Sequence, residues 1–204
     1  MNDLKDKTVA ILATDGFEQA ELERPQQALR DAGADVDIVA PKTGQIQGMQ
    51  HDKKGSAVRV DRALNEVSAK DYDALVLPGG VFNPDALRTN PQALDFARGF
   101  FEAQKPVGVI CHGGWTLIDA GVLRGRTLTS VKSIRTDLKN AGANVVDEEV
   151  VVDNGLVSSR TPDDLDAFCS KLVEEIGEGR HPGSQAQAGT ARVPRDGHNV
   201  SAPR

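Results

Sequence analysis

The chain has 204 residues, of which 39% are hydrophobic and 26% charged, the balance of a soluble globular protein. This length suits one domain whose core needs no disulfide or metal to support it. The formal net charge is −6, and because lysines and arginines do not cluster in the globular part, we expect no binding to nucleic acid. No apolar stretch approaches the roughly 18 residues of a membrane span, and the N-terminus lacks a signal-peptide pattern, so we expect a cytoplasmic protein without membrane contact.

Short apolar runs alternate with segments of helical periodicity along the chain. The predicted strands are Thr8–Ala13, Ala34–Ala40, Ala74–Leu77, Val107–Cys111, Thr127–Ser130, Glu149–Asp153 and Leu156–Ser159. The predicted helices are Asp15–Ala32, Pro84–Ala103, Trp115–Val122, Ser133–Ala141 and Pro162–Ile176. Strands that alternate with helices form βαβ units, so we expect a mainly parallel sheet covered by helices on both faces, with ligands at the carboxyl ends of the strands.

Three further segments have features of their own. Pro25 lies inside the first predicted helix, so either the helix kinks there or a turn precedes a helix that starts near Pro25. The glycine-punctuated residues 44–60 are typical of a hairpin. From Gly177 onward the chain has almost no large apolar residue, so we expect a single domain over residues 1–176 and a disordered tail over residues 177–204.

The two cysteines, Cys111 and Cys169, are too few for a disulfide framework and lack the ligand clustering of a zinc site, so we expect no metal. Cys111 ends an apolar strand and is followed by His112, Gly113 and Gly114. This pattern predicts a sharp strand-to-helix turn, at which the helix dipole and free N–H groups lower the pKa of a thiol. Cys169 lies on the apolar stripe of the last helix and is interpreted as a core residue.

Residues near Cys111 complete a hypothetical site. His112 could act as a general base or orient a substrate. Glu18 follows the first strand, with Glu21 and Glu23 as competitors nearby, and a carboxyl beside a thiolate would share one proton with it. Gly79 and Gly80 follow the third strand and could form half of an oxyanion hole, with the N–H of His112 as the other half and Gly113 beside it.

Several of these motifs occur together in a known family, in the right order and at the right distances. They are AILATDGFEQAEL, DALVLPGG, the PD of NPDALR, KPVGVICHGGW, AGVLRGRTLTS and DEEVVVDNGLVSSR. From about residue 7 to residue 176 the chain resembles the ThiJ/PfpI family, and more narrowly its intracellular protease I branch. The resemblance implies a flavodoxin-like three-layer α/β/α sandwich with a nucleophile elbow.

The resemblance also implies roles for individual residues. Cys111 would be the elbow nucleophile, Glu18 the protonated glutamate beside it, and Gly80 the oxyanion glycine. His112 would be the histidine after the cysteine, and Asp85 the acidic residue that reaches it from a neighbouring subunit. The segment GGVFNPD is about one residue longer than the resemblance implies. A class I glutamine amidotransferase is rejected, because no His-x-Glu motif follows Cys111.

Three functions remain open from the sequence. The favoured one is a cofactor-free stress-protection enzyme that acts on reactive dicarbonyls or their protein adducts, with glyoxalase or deglycase chemistry. The second is an oligomeric intracellular cysteine peptidase with a triad of Cys111, His112 and Asp85. The third is a redox sensor or chaperone in which Cys111 is oxidised to a sulfinate. The resemblance implies a homodimer or a higher homo-oligomer.

Overall fold

The computed structural model of the protein describes residues 3–180, and its centre is a seven-stranded sheet. The strands of the described chain are β1 (Thr8–Leu12), β2 (Phe17–Glu18), β3 (Asp35–Ala40), β4 (Gln45–Gln50), β5 (Lys53–Arg59), β6 (Arg62–Ala63), β7 (Ala74–Leu77), β8 (Val107–Ile110), β9 (Thr127–Leu128), β10 (Asn144–Val145), β11 (Val150–Asp153) and β12 (Leu156–Ser159). The central sheet has the order β11-β12-β8-β7-β1-β3-β6, and only the β11–β12 pair is antiparallel. β1, β7 and β8 are therefore neighbours, and their carboxyl ends meet at one edge of the sheet.

Six α-helices cover the two faces of this sheet. They are α1 (Gln19–Asp31), α2 (Phe82–Leu87), α3 (Pro91–Glu102), α4 (Gly114–Ala120), α5 (Arg135–Asn140) and α6 (Leu165–Glu178). Because successive strand residues point to opposite faces, the apolar residues divide into two cores. One core joins the sheet to α1 and α6, and the other joins it to α3, α4 and α5. The fold is the predicted three-layer α/β/α sandwich with a mainly parallel sheet.

Most predicted elements are present, and the differences have local causes. The predicted helix over Pro84–Ala103 is wrong, because the chain forms two helices, α2 and α3. The side chain of Asn90 accepts hydrogen bonds from the N–H groups of Gln92 and Ala93, and Pro91 stands at the first helical position, so a new helix begins there. Pro25 lies inside α1, which begins at Gln19 and not near the proline.

The other differences are small. The predicted hairpin is formed by β4 and β5, and β2 extends it to a separate three-stranded sheet. The strand predicted to end at Cys111 ends at Ile110. α6 continues two residues beyond Ile176, to Glu178. Residues 181–204 of the predicted tail lie outside the described residues. Across residues 3–180, no helix has the length and apolar character needed to cross a membrane.

The single-domain boundary stays a prediction, and truncation tests it. We expect a chain that ends after Arg180 to keep its melting temperature within about 4 °C, which for a chain of this size corresponds to roughly 1 kcal/mol. A chain that ends before Leu165 is the control. It lacks α6, whose Phe168, Leu172 and Ile176 are fully buried, and it should not fold. Calorimetry of both proteins checks this, and a much lower melting temperature for the longer chain would contradict the boundary.

Candidate active site

Cys111 occupies a strained turn at the end of a buried strand. β8 ends at Ile110, and Cys111–Gly113 form a single 3₁₀ turn that leads into α4. The φ angle of Cys111 is 59°, in the left-handed region that residues with a side chain rarely adopt. Such strain is concentrated at functional sites. The turn is the predicted nucleophile elbow, and it leaves the cysteine half-buried at the carboxyl edge of the sheet.

Three groups converge on Gly79, the residue that follows Pro78 after β7. A Cβ atom on Gly79 would lie 2.6 Å from Oε2 of Glu21, 2.7 Å from Cβ of Cys111 and 2.9 Å from the backbone nitrogen of His112. The position therefore has no room for a side chain. Glycine at this position lets the carboxyl of Glu21 and the elbow cysteine approach each other across the backbone.

The carboxyl beside Cys111 belongs to Glu21, and the assignment of that place to Glu18 is wrong. The Oε2 atom of Glu21 accepts a hydrogen bond of 2.8 Å from the N–H of Gly79, and its side chain also interacts with that of Cys111. Glu18 has an extended backbone and precedes α1. Its Oε2 accepts a 2.9 Å bond from the N–H of His51, in the turn between β4 and β5. Glu21, in the first turn of α1, is fully buried.

Burial and mutual repulsion shift the titration of this pair. Burial raises the pKa of Glu21 to about 8, and the N–H of Gly79 opposes that rise. Burial also raises the pKa of the Cys111 thiol, the charge of Glu21 adds to the rise, and the N–H groups of His112 and Gly80 oppose it. The predicted fall in the thiol pKa is thus outweighed by burial and by Glu21. Because two buried negative charges in contact are costly, the pair does not lose both protons near neutral pH.

His112 contacts Cys111 through the ring despite its adjacent position. Its Nδ1 atom lies 3.2 Å from Sγ of Cys111, which the tight turn permits. Its Nε2 atom lies 3.1 Å from Oγ of Ser133. The ring of Trp115 packs against the imidazole with centroids 5.2 Å apart. Burial lowers the pKa of His112, so the ring is neutral at pH 7 and can accept a proton.

The predicted glycines have different surroundings. The N–H of Gly79 is used by Glu21, whereas the N–H groups of Gly80 and His112 are directed at the sulfur of Cys111. Gly80 has a φ of 77°, and a Cβ there would collide with the carbonyl oxygen of Gly16. Gly113 packs α4 closely against the end of β7, where a Cβ would lie 2.7 Å from the carbonyl oxygen of Leu77.

Asp85 lies on a different element, α2. It is exposed in the first turn of α2, next to Val81 and Phe82, whose side chains are 50% and 67% exposed. A contact between Asp85 and His112 of a neighbouring subunit stays a prediction. Among residues 3–180, no group of three or more His, Cys, Asp or Glu residues could hold a metal ion.

Asn83 is a residue of this site that the sequence analysis did not identify. Its buried side chain accepts a 2.8 Å hydrogen bond from the N–H of Thr14, after β1. It also donates to the carbonyl oxygens of Pro78 and Gly79, at 2.9 and 3.1 Å. One amide thus ties the loop after β7 to the end of β1. The signal available in the sequence was an asparagine between the glycine pair and Pro84, a position that favours side-chain to backbone bonding.

The fold and the site together define a class of α/β proteins in which an elbow cysteine is paired with a buried carboxyl. The model of the DJ-1/PfpI family matches residues 7–175. The chain belongs to this family.

Two relatives illustrate the range of names in the family. YraA of Bacillus subtilis, named as a candidate cysteine protease, is 47% identical over 79% of this chain and 94% of its own length. A protein of Escherichia coli K12 named protein/nucleic acid deglycase 2 is 46% identical over 84% of this chain and 98% of its own length. The identity shows the family in both cases.

Solved structures agree with the fold. A two-domain protein of Anabaena variabilis, with DJ-1/ThiJ/PfpI-like and ferritin-like domains, matches with a TM-score of 0.80 and 34% identity. The match covers 84% of this chain and 48% of that longer chain. Drosophila melanogaster DJ-1beta matches with a TM-score of 0.76 and 28% identity, over 84% of this chain and 90% of its own.

The pKa of Glu21 predicts a pH-dependent stability. The folded value of about 8 exceeds the ordinary 4.5, so between these pH values the folded protein binds more protons than the unfolded chain. The free energy of unfolding therefore falls as the pH rises, by up to about 5 kcal/mol. We expect Glu21→Gln to flatten this dependence and Glu18→Gln, the control, to keep it. Urea unfolding between pH 4.5 and 9 measures the difference, and parallel curves for Glu21→Gln and wild type would contradict the assignment.

The three hydrogen bonds of Asn83 predict a large effect of its removal. Asn83→Ala leaves the N–H of Thr14 and the carbonyl of Pro78 without this partner, so we expect a loss of roughly 2–4 kcal/mol in the free energy of unfolding. Asn140→Ala, at the exposed end of α5, is the control and should cost under about 0.5 kcal/mol. Equal stability of the two variants would show that the loop does not depend on Asn83.

Proposed function

We propose that the protein is a cofactor-free, stress-protective enzyme that uses the Cys111 thiolate as a nucleophile toward reactive dicarbonyl compounds. The observation that supports this proposal best is the arrangement around the sulfur. Cys111 has a left-handed backbone, Nδ1 of His112 lies 3.2 Å away, and the side chain of Glu21 interacts with the thiol. The name of the related deglycase supports a carbonyl-directed reaction.

In the proposed resting state Glu21 keeps the proton that it shares with Cys111. A protonated carboxyl adds no charge and can donate to the sulfur, together with the N–H groups of Gly80 and His112. Hydrogen bonds to the charged form stabilise a thiolate. This arrangement offsets the burial that raises the thiol pKa, and it gives Glu21 a role that an ionised carboxylate would not have.

The proposed reaction converts methylglyoxal and water to lactate. The thiolate adds to the aldehyde carbon, and the oxygen that gains charge accepts hydrogen bonds from the N–H groups of Gly80 and His112 before it is protonated. His112 removes the proton from the former aldehyde carbon and returns a proton to the neighbouring carbon. The first carbon is thereby oxidised to a thioester while the second is reduced to an alcohol. Water then releases the hydroxy acid and regenerates the thiol.

A peptidase is the second candidate, and the name of YraA favours it. It would use the same Cys111 and His112, and Asp85 of a neighbouring subunit in a homo-oligomer would orient the histidine. A redox sensor, in which Cys111 forms a sulfinate, would use the thiolate without a substrate. These alternatives differ from the first in what the chain consumes, so turnover separates them.

The first experiment measures the ionisation of Cys111 by thiolate absorbance against pH. Loss of the carboxyl donor in Glu21→Leu should raise the thiol pKa by about one to two units, since a charge-assisted hydrogen bond is worth roughly 1.5–3 kcal/mol. Glu21→Gln keeps a donor and should shift the thiol pKa less. Glu18→Gln is the matched control. If Glu21 is instead an ionised neighbour, relief of repulsion lowers the thiol pKa in both Glu21 variants, and the protonated-carboxyl mechanism fails.

Methylglyoxal turnover in the same series tests the reaction. We expect Cys111→Ser to lose turnover, while Cys169→Ala, which removes the core thiol, keeps it. Lactate formation is followed together with cleavage of a labelled protein substrate. Equal, slow consumption of methylglyoxal by wild type and Cys111→Ser would reject the dicarbonyl proposal. Protein cleavage that depends on Cys111 would then support the peptidase.

A further inference from the structure

The second ring nitrogen of His112 has a partner within the same chain. Nε2 lies 3.1 Å from Oγ of Ser133, while Nδ1 lies 3.2 Å from Sγ of Cys111. Ser133 belongs to the 3₁₀ turn Lys132–Ile134, which follows β9 and leads into α5. Ile134 in this turn is buried and anchors it to the core beneath α4. An exposed hydroxyl is thus held against the imidazole by a buried neighbour.

We propose that Ser133 is a positioning residue that orients the imidazole of His112 toward Cys111 within a single subunit. The proposal rests on the proposed function of Cys111 and His112, and it names the group that holds the base in place. It extends the pair to a Cys111–His112–Ser133 relay on one chain. A histidine base normally needs such a third group to keep its ring and tautomer in register with the nucleophile.

A hydroxyl suits this position because it serves every protonation state of the ring. When Nδ1 accepts a proton, the N–H at Nε2 donates to Oγ of Ser133 before and after the transfer. If the proton of the neutral ring is on Nδ1, the hydroxyl donates to Nε2 instead. The contact therefore survives proton transfer to and from His112. A carboxylate in the same place would favour the charged imidazolium and hold the proton on the ring.

The surroundings of the imidazole restrict the other ways of holding it. Trp115 packs against the ring, and its own Nε1 donates to Asp137 of α5 at 2.9 Å. Arg88, the residue that follows α2, lies over the indole, 5.3 Å from its centroid. Lys132 precedes Ser133 in the same turn. Burial is the cause of the lowered pKa of His112. Among the residues that the structure describes, Ser133 supplies the hydrogen-bond partner of Nε2.

Ser133 and a partner subunit's Asp85 would compete for one atom. Nε2 carries at most one hydrogen, so a carboxylate that reached it would have to displace the hydroxyl or share its bond. The two arrangements differ in whether the orientation of His112 depends on assembly of the oligomer. With Ser133 the histidine is oriented in each subunit alone, and with Asp85 it is oriented only in the oligomer.

Histidine NMR titration of the full chain tests the proposal without substrate, so the result does not depend on whether methylglyoxal is turned over. The signal of His112 is assigned with His112→Gln, since the chain has four histidines. Ser133→Ala removes the acceptor and should lower the pKa of His112. Ser133→Asp adds a charge and should raise it, and Ser133→Thr keeps the hydroxyl and should restore the wild-type value. Ser170→Ala, an exposed serine on α6, is the control.

The rate at which a soluble reagent alkylates Cys111 should follow the same order. We expect Ser133→Ala to slow alkylation near neutral pH by roughly three- to tenfold, the worth of one neutral hydrogen bond, with recovery in Ser133→Thr. Superimposable titrations of His112 in wild type, Ser133→Ala and Ser133→Asp would overturn the proposal. A shift of the His112 pKa that is seen in Asp85→Asn and absent in Ser133→Ala would show that the neighbouring subunit orients the ring.

Discussion

The contact between two acids, the Glu21 carboxyl and the Cys111 thiol, is the constraint on which the rest of the site depends. It exists because Gly79 has no side chain, so that Glu21, Cys111 and the backbone of His112 all approach the same point. Each group is held there by a different element: α1 for Glu21, the loop after β7 for Gly79 and the turn after β8 for Cys111. Burial then makes two negative charges too costly, so the pair does not lose both protons near neutral pH.

This constraint explains why the surrounding backbone is held rigidly by several contacts. Cys111 has a left-handed conformation that only a rigid environment maintains. Asn83 ties the glycine loop to the end of β1, and Gly113 packs α4 against the end of β7. The two cores on either side of the sheet hold these strand ends in register. The raised pKa of Glu21 lowers the free energy of unfolding above acidic pH. Packing elsewhere in the protein offsets this loss.

The fold that defines the family does not by itself select one reaction. The fold positions a strained cysteine, a buried carboxyl and a histidine, which suit several reactions of a thiolate nucleophile. Relatives of almost equal identity are named as a candidate protease and as a deglycase. What distinguishes such reactions is the group that holds His112 and the substrate that reaches Cys111. The contact with Ser133 concerns the group that holds His112, and this role can be tested in one subunit.

The sequence by itself determined the alternation of strands and helices, the parallel sheet, the elbow at Cys111 and the core position of Cys169, because these follow from local periodicity and glycine placement. It could not choose among Glu18, Glu21 and Glu23, three carboxylates within six residues. That choice depends on Glu18 lying in an extended segment that faces the β4–β5 turn, whereas Glu21 enters the first turn of α1. The direction of the thiol pKa and the partners of His112 and Asn83 were likewise decided by tertiary structure, since burial and contacts between distant segments have no local signal in the sequence.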